Sequence, residues 1–536
     1  MKADIVLRGN AVFTSCADAP EKKLIAVKGN RIIAVDEFDS IDSYADENTR
    51  VIECGDRLVT PGFNDNHFHL AHGINQVNCV DLSLATSEED AVQKVVDFAE
   101  KNPGNEPIFG YYWYHMNWKE KKLPTKHSLD KYFPDRPVIL YRVESHGAWL
   151  NSKALELLQI NENTPNPIKN NGEIVKGEDG KPTGYIHELA IFVMGRHSVK
   201  SREKDKSEYV EFFKKLSRYG VTSISDLQYD MPTRYDIFTE LEEEGNLNIR
   251  YGFATILSDD LTKAREYREK YNSEKIKYLG LKQYVDGTIL GYTGELLEPY
   301  EDKPETRNEM PFDFDEITRN ALAADREGFR VRLHTIGDGA VRIALDAFQR
   351  CREENGIRDS RHSIAHIEVV NDADIPRLNE LGVIYDAHPA HVNLSCEKAE
   401  DNPYPVHLGK RADNCFMYKT ILDTGAHLAV GSDFPVVEPD PMLGIYRGVT
   451  RKFNDGLPEE GWIPSERLSM AEILKAYTIG TAYHDFKDDI TGTLEAGKCA
   501  DIVILDRNLF DLETPEEILE TKPVMTIFDG RIVYEA

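Results

Sequence analysis

No Cys-x-x-Cys occurs in this chain. Its seven cysteines, Cys16, Cys54, Cys79, Cys351, Cys396, Cys415 and Cys499, are scattered and odd in number. That excludes the regular spacing of a disulfide framework or a structural zinc knuckle. Long apolar runs are missing too: none approaches the ~18 residues that cross a bilayer. The opening Met-Lys-Ala-Asp-Ile-Val-Leu-Arg has no apolar stretch of the secretory kind. The expectation is a cytoplasmic protein with no membrane partner. Positive charge is scarce: 64 Lys and Arg stand against 93 Asp and Glu, a net −29 over 536 residues. Nucleic acid and anionic membranes require basic faces, so neither is an expected partner. The acidity reads as solubility and identifies no substrate. There is no internal repeat and no low-complexity tract.

What is present is β at both ends and alternation between them. Ile5-Val6-Leu7, Ala11-Val12-Phe13, Leu24–Val27 and Arg31–Val35 are short β-branched runs. Gly9-Asn10 and Gly29-Asn30 separate neighbours, which is hairpin chemistry. Asp501–Leu505, then Val524–Phe528 and Arg531–Tyr534 around Asp529-Gly530, repeat the style. Two β ends predict one small sheet domain built from both termini. In the middle, strand runs such as Thr222–Ser225 and Arg330–His334 are separated by helical patterns over 208–219, 261–271 and 340–354. Alternation of this kind implies parallel strands with crossover helices. No G-x-G-x-x-G follows a strand run and no Walker lysine motif occurs, so a nucleotide-binding sheet loses ground to a barrel. The predicted fold is α/β: a (β/α)8 TIM-like barrel, a small β-sandwich from both termini, and an elaboration after the first barrel strand. The expected boundaries are 1–58 plus 488–536 for the sandwich and 59–487 for the barrel, with the elaboration at about 82–197.

The strongest local signal is Pro61-Gly62-Phe63-Asn64-Asp65-Asn66-His67-Phe68-His69. Strand alternation places His67 and His69 on one side of the chain, where two imidazoles can share a metal ion. Alone, the pair reads equally as hydrogen-bonded core histidines. Three later residues add weight. His334, His366 and Asp433 each end or follow an apolar strand run, and in a (β/α)8 barrel that end carries the active site. Lys282, in Leu279–Thr288, is an ordinary lysine paired with an acid such as Asp286, or an amine carrying CO2 as a metal-bridging carbamate.

At these residues the chain resembles the amidohydrolase superfamily, specifically the amidohydrolase family 3 group of YtcJ-like hydrolases, which includes N-substituted formamide deformylases. The likeness runs nearly end to end. It takes in Pro61–His69, Ser145–Leu155, Gly184–Glu188, Lys282–Gly287, His334–Asp338, Ala365–Glu368, Gly431–Val436 and Gly492–Val503. The resemblance implies metal ligands His67, His69, Lys282 (carboxylated in a binuclear centre), His334, His366 and Asp433, with Zn2+ or another divalent transition metal, one ion or two. Asp433 is the implied catalytic base and then acid. The implied activity is metal-dependent hydrolysis, in which a metal-activated water cleaves a C–N bond in an amide, N-formyl or cyclic amide group of a small molecule. The alternatives are a metal-dependent esterase and a catalytically silent metal-binding regulator. Homodimerisation follows by the same analogy. His146, His391 and Trp113 are candidate substrate contacts; Trp113 is equally a packed core residue of the elaboration. The chain departs from the usual family wording at His388, where glutamine is frequent, and at Gly294, where alanine is common.

Overall fold

The protein is described from a computed structural model covering residues 1–142, 147–166, 172–196, 200–227, 233–393 and 398–536. Both chain ends build one seven-stranded sheet. Its order is Arg531–Glu535, Pro523–Phe528, Ile502–Leu505, Arg50–Pro61, Ile5–Val12, Glu21–Lys28 and Arg31–Glu37. Two of the expected hairpins form. Gly29 (φ 56°) turns the chain between Lys28 and Arg31, which pair across the turn. Asp529 and Gly530 are both at positive φ between the paired Phe528 and Arg531, the backbone that two-residue hairpins need. Gly9-Asn10 is a correction. The strand continues through it, and the register shifts against both neighbours there. A glycine inside a strand marks a bulge as readily as a turn.

Eight parallel strands form the barrel. In chain order they are Phe63–Phe68, Val221–Leu227, Arg250–Ile256, Ile276–Tyr284, Val331–Thr335, Ser363–His366, Ile384–Ala387 and Leu428–Val430. Closure comes from a parallel bridge between Phe68 and Phe434 and from the Asp433 N–H donating to the His67 carbonyl at 2.8 Å. Gly62 joins the terminal sheet to the first barrel strand. A Cβ there would meet Thr222 Oγ1 at 2.1 Å, so the close strand approach admits only glycine.

Packing divides the chain into two units: Met1–Phe68, Phe213–Leu227 and Phe238–Ala536 in one, His69–Phe212 and Gln228–Ile237 in the other. The first holds the terminal sheet and the barrel. The second has its own six-stranded mixed sheet and an aromatic core in which Trp113 packs against Trp118, Trp149 and Tyr185. No helix among the described residues is long and apolar enough to cross a membrane. The six described cysteines are all free.

Arg250, at the start of the third barrel strand, ties the barrel to the terminal sheet. Its fully buried guanidinium grips Asp501 through Nε at 2.6 Å and Nη2 at 3.1 Å, and reaches Asp529 at 3.2 Å. Removing one partner strands the other charge in a dry interior. Arg250→Met is therefore expected to lower stability by about 3–5 kcal/mol, read as a lower urea midpoint. An unchanged midpoint contradicts the tie.

Candidate metal centre

The carboxyl ends of the barrel strands converge on imidazoles. His67 ends the first strand but for one residue, His334 lies near the end of the fifth, and His366 closes the sixth. His388 follows the seventh by one residue, and Asp433 follows the eighth. Ligand-type atoms of His67, His366, His388 and Asp433 all lie within 4.8 Å of one another, and all four residues are buried. His366 stacks on His388 with ring centres 4.3 Å apart and meets the His334 ring edge-on at 4.4 Å. His366, Ile367 and Asp433 have positive φ of 74°, 47° and 59°. Left-handed backbone at non-glycine residues is costly and concentrates at functional sites. Here it falls where two strand runs give way to loops, at His366 and Ile367 and at Asp433.

Burial keeps these imidazoles neutral. It lowers His67 and His366 well below the usual range and pushes His334 and His388 down to about 3. The neutral ring is the form that ligates metals. Lys282, 2% exposed, has no hydrogen-bond partner for Nζ among the described residues. Burial first, then the Arg332 charge, lower its ammonium to about 7. Asp286 does not pair with it. That carboxylate takes the N–H groups of Ile336, Gly337 and Glu295 at 2.8–2.9 Å and so fixes the loop after His334.

Further buried polar groups stand behind these rings. His67 Nδ1 bonds Asp386 Oδ2 at 2.9 Å, leaving Nε2 pointing to Asp433 Oδ1 at 3.5 Å. A carboxylate behind an imidazole is the arrangement that fixes a ligating tautomer. Asp386 in turn faces Arg332 Nε at 3.2 Å, and Arg332 Nη2 reaches His484 Nε2 at 2.7 Å. His484 Nδ1 contacts Asp485 at 2.8 Å. A column of paired polar groups thus runs through the barrel interior. Asp65 Oδ1 accepts the N–H groups of Ser432 at 2.9 Å and His67 at 3.2 Å, which locks the first strand to the segment bearing Asp433.

Of the residues expected from the sequence, His67, His366 and Asp433 meet in one cluster, with His334 against it. His69 is the half-buried residue after the first strand and opens the second unit; it is not in the four-residue group. His391 is buried, and its Nε2 lies 3.2 Å from the Ser432 carbonyl. Trp113 is fully enclosed in the second unit, its indole N–H donated to the Leu140 carbonyl at 2.8 Å. His146 lies outside the described residues. Asp386 was not singled out in the sequence, and His388 stood out only as a departure from the family wording. Their signal was Tyr385-Asp386-Ala387-His388, a strand end carrying polar residues like the others.

Asp325, Cys351 and His362 also gather ligand-type atoms, but the imidazole and the carboxylate are already engaged. His362 Nδ1 accepts the Val331 N–H at 3.0 Å and Nε2 bonds Asp325 at 3.1 Å. Burial alone would raise Asp325, yet hydrogen bonds from His362 and Asn355 and the Arg358 charge hold it down to about 2. This is a structural network.

Gly431 sets the spacing at the centre. A Cβ there would stand 2.5 Å from the His67 backbone nitrogen and 2.7 Å from Asn66 Oδ1. Gly431→Ala is expected to displace His67 and to cost about 1–3 kcal/mol by overpacking. A thermal melt together with metal content checks this; a variant with native values for both contradicts it.

A parallel eight-stranded barrel with buried histidines and an aspartate at its carboxyl ends is the architecture of a barrel hydrolase. The comparisons take this further. The sequence profile of the amidohydrolase family matches residues 50–534, and the chain belongs to that family. It is 29% identical to the amidohydrolase-like YtcJ of Bacillus subtilis (strain 168), with both chains covered in full. It is 26% identical to an N-substituted formamide deformylase of Arthrobacter pascens, covering 97% of this chain and 95% of that protein. The crystal structure of an uncharacterized metal-dependent hydrolase from Pyrococcus furiosus superposes with a TM-score of 0.73 at 26% identity, covering 95% of this chain and all of the other.

Proposed function

We propose that the protein is a metal-dependent hydrolase that cleaves a C–N bond of a small amide, N-formyl or cyclic amide substrate. The observation that carries this reading is the buried group of His67, His366, His388 and Asp433 within 4.8 Å. The donor set fits a divalent transition metal: neutral imidazoles and a carboxylate suit zinc and its neighbours. The orphaned Nζ of Lys282 fits as well, since an amine near neutrality in its ionisation can add CO2 and become an anion beside a cation. His67, His366 and Asp433 would hold the metal, with His69, Lys282 and His334 as the further ligands of the family pattern. A cation bound there supplies an acidified water and polarises a carbonyl oxygen.

The protein's own groups do the rest. Asp433 accepts the water proton on a carboxylate oxygen and later delivers it to the leaving nitrogen, acting as base and then acid. Its backbone N–H, fixed to the His67 carbonyl, keeps that carboxylate beside the imidazole. Asp386 holds the His67 ring in one tautomer. The deformylase relative supports a C–N bond as the target. A panel of N-formyl amines, N-acyl amino acids and aryl esters tests it. Turnover of an amide or formamide is the expected outcome, and turnover confined to the esters overturns the C–N assignment.

A further inference from the structure

We propose that His388 is itself a metal ligand, contributed from the end of the seventh barrel strand and completing a set of three imidazoles and one carboxylate with His67, His366 and Asp433. The inference rests on the proposed metal centre and deepens it.

Three observations carry it. The first is an unmet need. His388 is 1% exposed, and neither Nδ1 nor Nε2 has a hydrogen-bond partner among the described residues. A buried imidazole with both nitrogens unsatisfied is costly to keep, and a cation meets that cost directly. His391, three residues on, shows the ordinary alternative: its Nε2 lies 3.2 Å from the Ser432 carbonyl. The second is position. The His388 ring centre is 4.3 Å from that of His366 and 4.6 Å from that of His67, and its ligand atom falls in the same 4.8 Å group as theirs and the Asp433 carboxylate. Metal–nitrogen bonds of about 2.0–2.1 Å keep ligands of one ion within roughly 4 Å of each other, so small side-chain movements close the shell. The third is support from behind. Asp386 Oδ2 bonds His67, while Oδ1 has no hydrogen-bond partner and lies 3.8 Å from His388 Nε2. One carboxylate thus bonds the first of these rings and faces a second, on the side from which carboxylates orient ligating histidines.

The consequence is a centre whose first ion does not depend on Lys282. Four protein ligands, three neutral and one anionic, hold a divalent ion with net charge +1.

Two experiments test this on the full-length protein. In the first, metal-free wild type, His388→Gln and His388→Ala are titrated with Zn2+ and with Co2+ against a chromophoric chelator. X-ray absorption at the metal edge counts the imidazoles. Wild type is expected to bind stoichiometrically with three imidazoles at the first ion. Both variants are expected to bind on the order of 10²-fold more weakly and to lose one imidazole. Equal affinity and equal counts in wild type and variants overturn the assignment of His388 alone. A folded wild type that binds neither ion overturns the metal centre and this assignment together. The second experiment needs no variant: anomalous scattering from zinc-loaded wild-type crystals. An ion within about 2.1 Å of a His388 ring nitrogen supports the proposal. An ion bound at the other ligands with His388 outside bonding distance overturns it.

Discussion

Asp433→Asn is expected to keep its metal and lose turnover by about 10²–10⁴-fold, the usual contribution of a positioned acid–base group. The substitution is well suited to the question. Residue 433 sits at φ 59°, and asparagine tolerates left-handed backbone better than other residues do, so the turn survives. The amide matches the carboxylate in size and retains an oxygen that can face the cation and His67 Nε2. It cannot accept and return a proton. The loss should therefore fall on kcat with KM little changed, the signature of an interaction made only in the transition state. Metal content and steady-state kinetics on one sample check both halves. Native kcat in a metal-loaded Asp433→Asn protein removes Asp433 from the chemistry.

Arg332→Met should be as destabilising as Arg250→Met and should disturb the metal centre as well. Arg332 and Asp386 are both fully buried, and the guanidinium lies 3.2 Å from the carboxylate. Burial alone would raise the Asp386 carboxyl; the Arg332 charge reverses that and keeps it ionised. Taking the cation away leaves an uncompensated buried anion behind His67, at a cost of about 3–5 kcal/mol. Chemical denaturation should show the loss, with metal affinity falling as Asp386 ceases to hold the His67 tautomer. The double variant Arg332→Met/Asp386→Asn should recover part of the stability and none of the metal affinity. A double-mutant cycle with no coupling would refute the column as an energetic unit.

The fold was legible because its signals are periodic. Both β ends, the alternating middle and the polar residues that close four of the strand runs all follow from local pattern. The centre was legible where a polar residue closed an apolar run, as at His366 and Asp433. It was illegible where the polar residue lay inside the run. Ile384–Ala387 is four residues long, and Asp386 in it looks like any interior acid until Arg332 and His67 are seen on either side. His388 was visible only as a departure from family wording, since its partners in the metal-ligand cluster come from 22 to 321 residues away in the chain. Gly9-Asn10 misled for a different reason: a bulge and a turn use the same residues. Trp113 could not be placed because an aromatic cluster has the same composition in a core as in a binding pocket.

The most direct test of the central claim is a metal titration of hydrolysis. Metal-free wild type, prepared by chelation and shown to be folded, is assayed on an N-formyl amine as Zn2+ or another divalent transition metal is returned. No turnover is expected without metal, with activity rising in proportion to metal bound at the histidine–aspartate cluster. Full hydrolysis by the metal-free protein would contradict metal dependence.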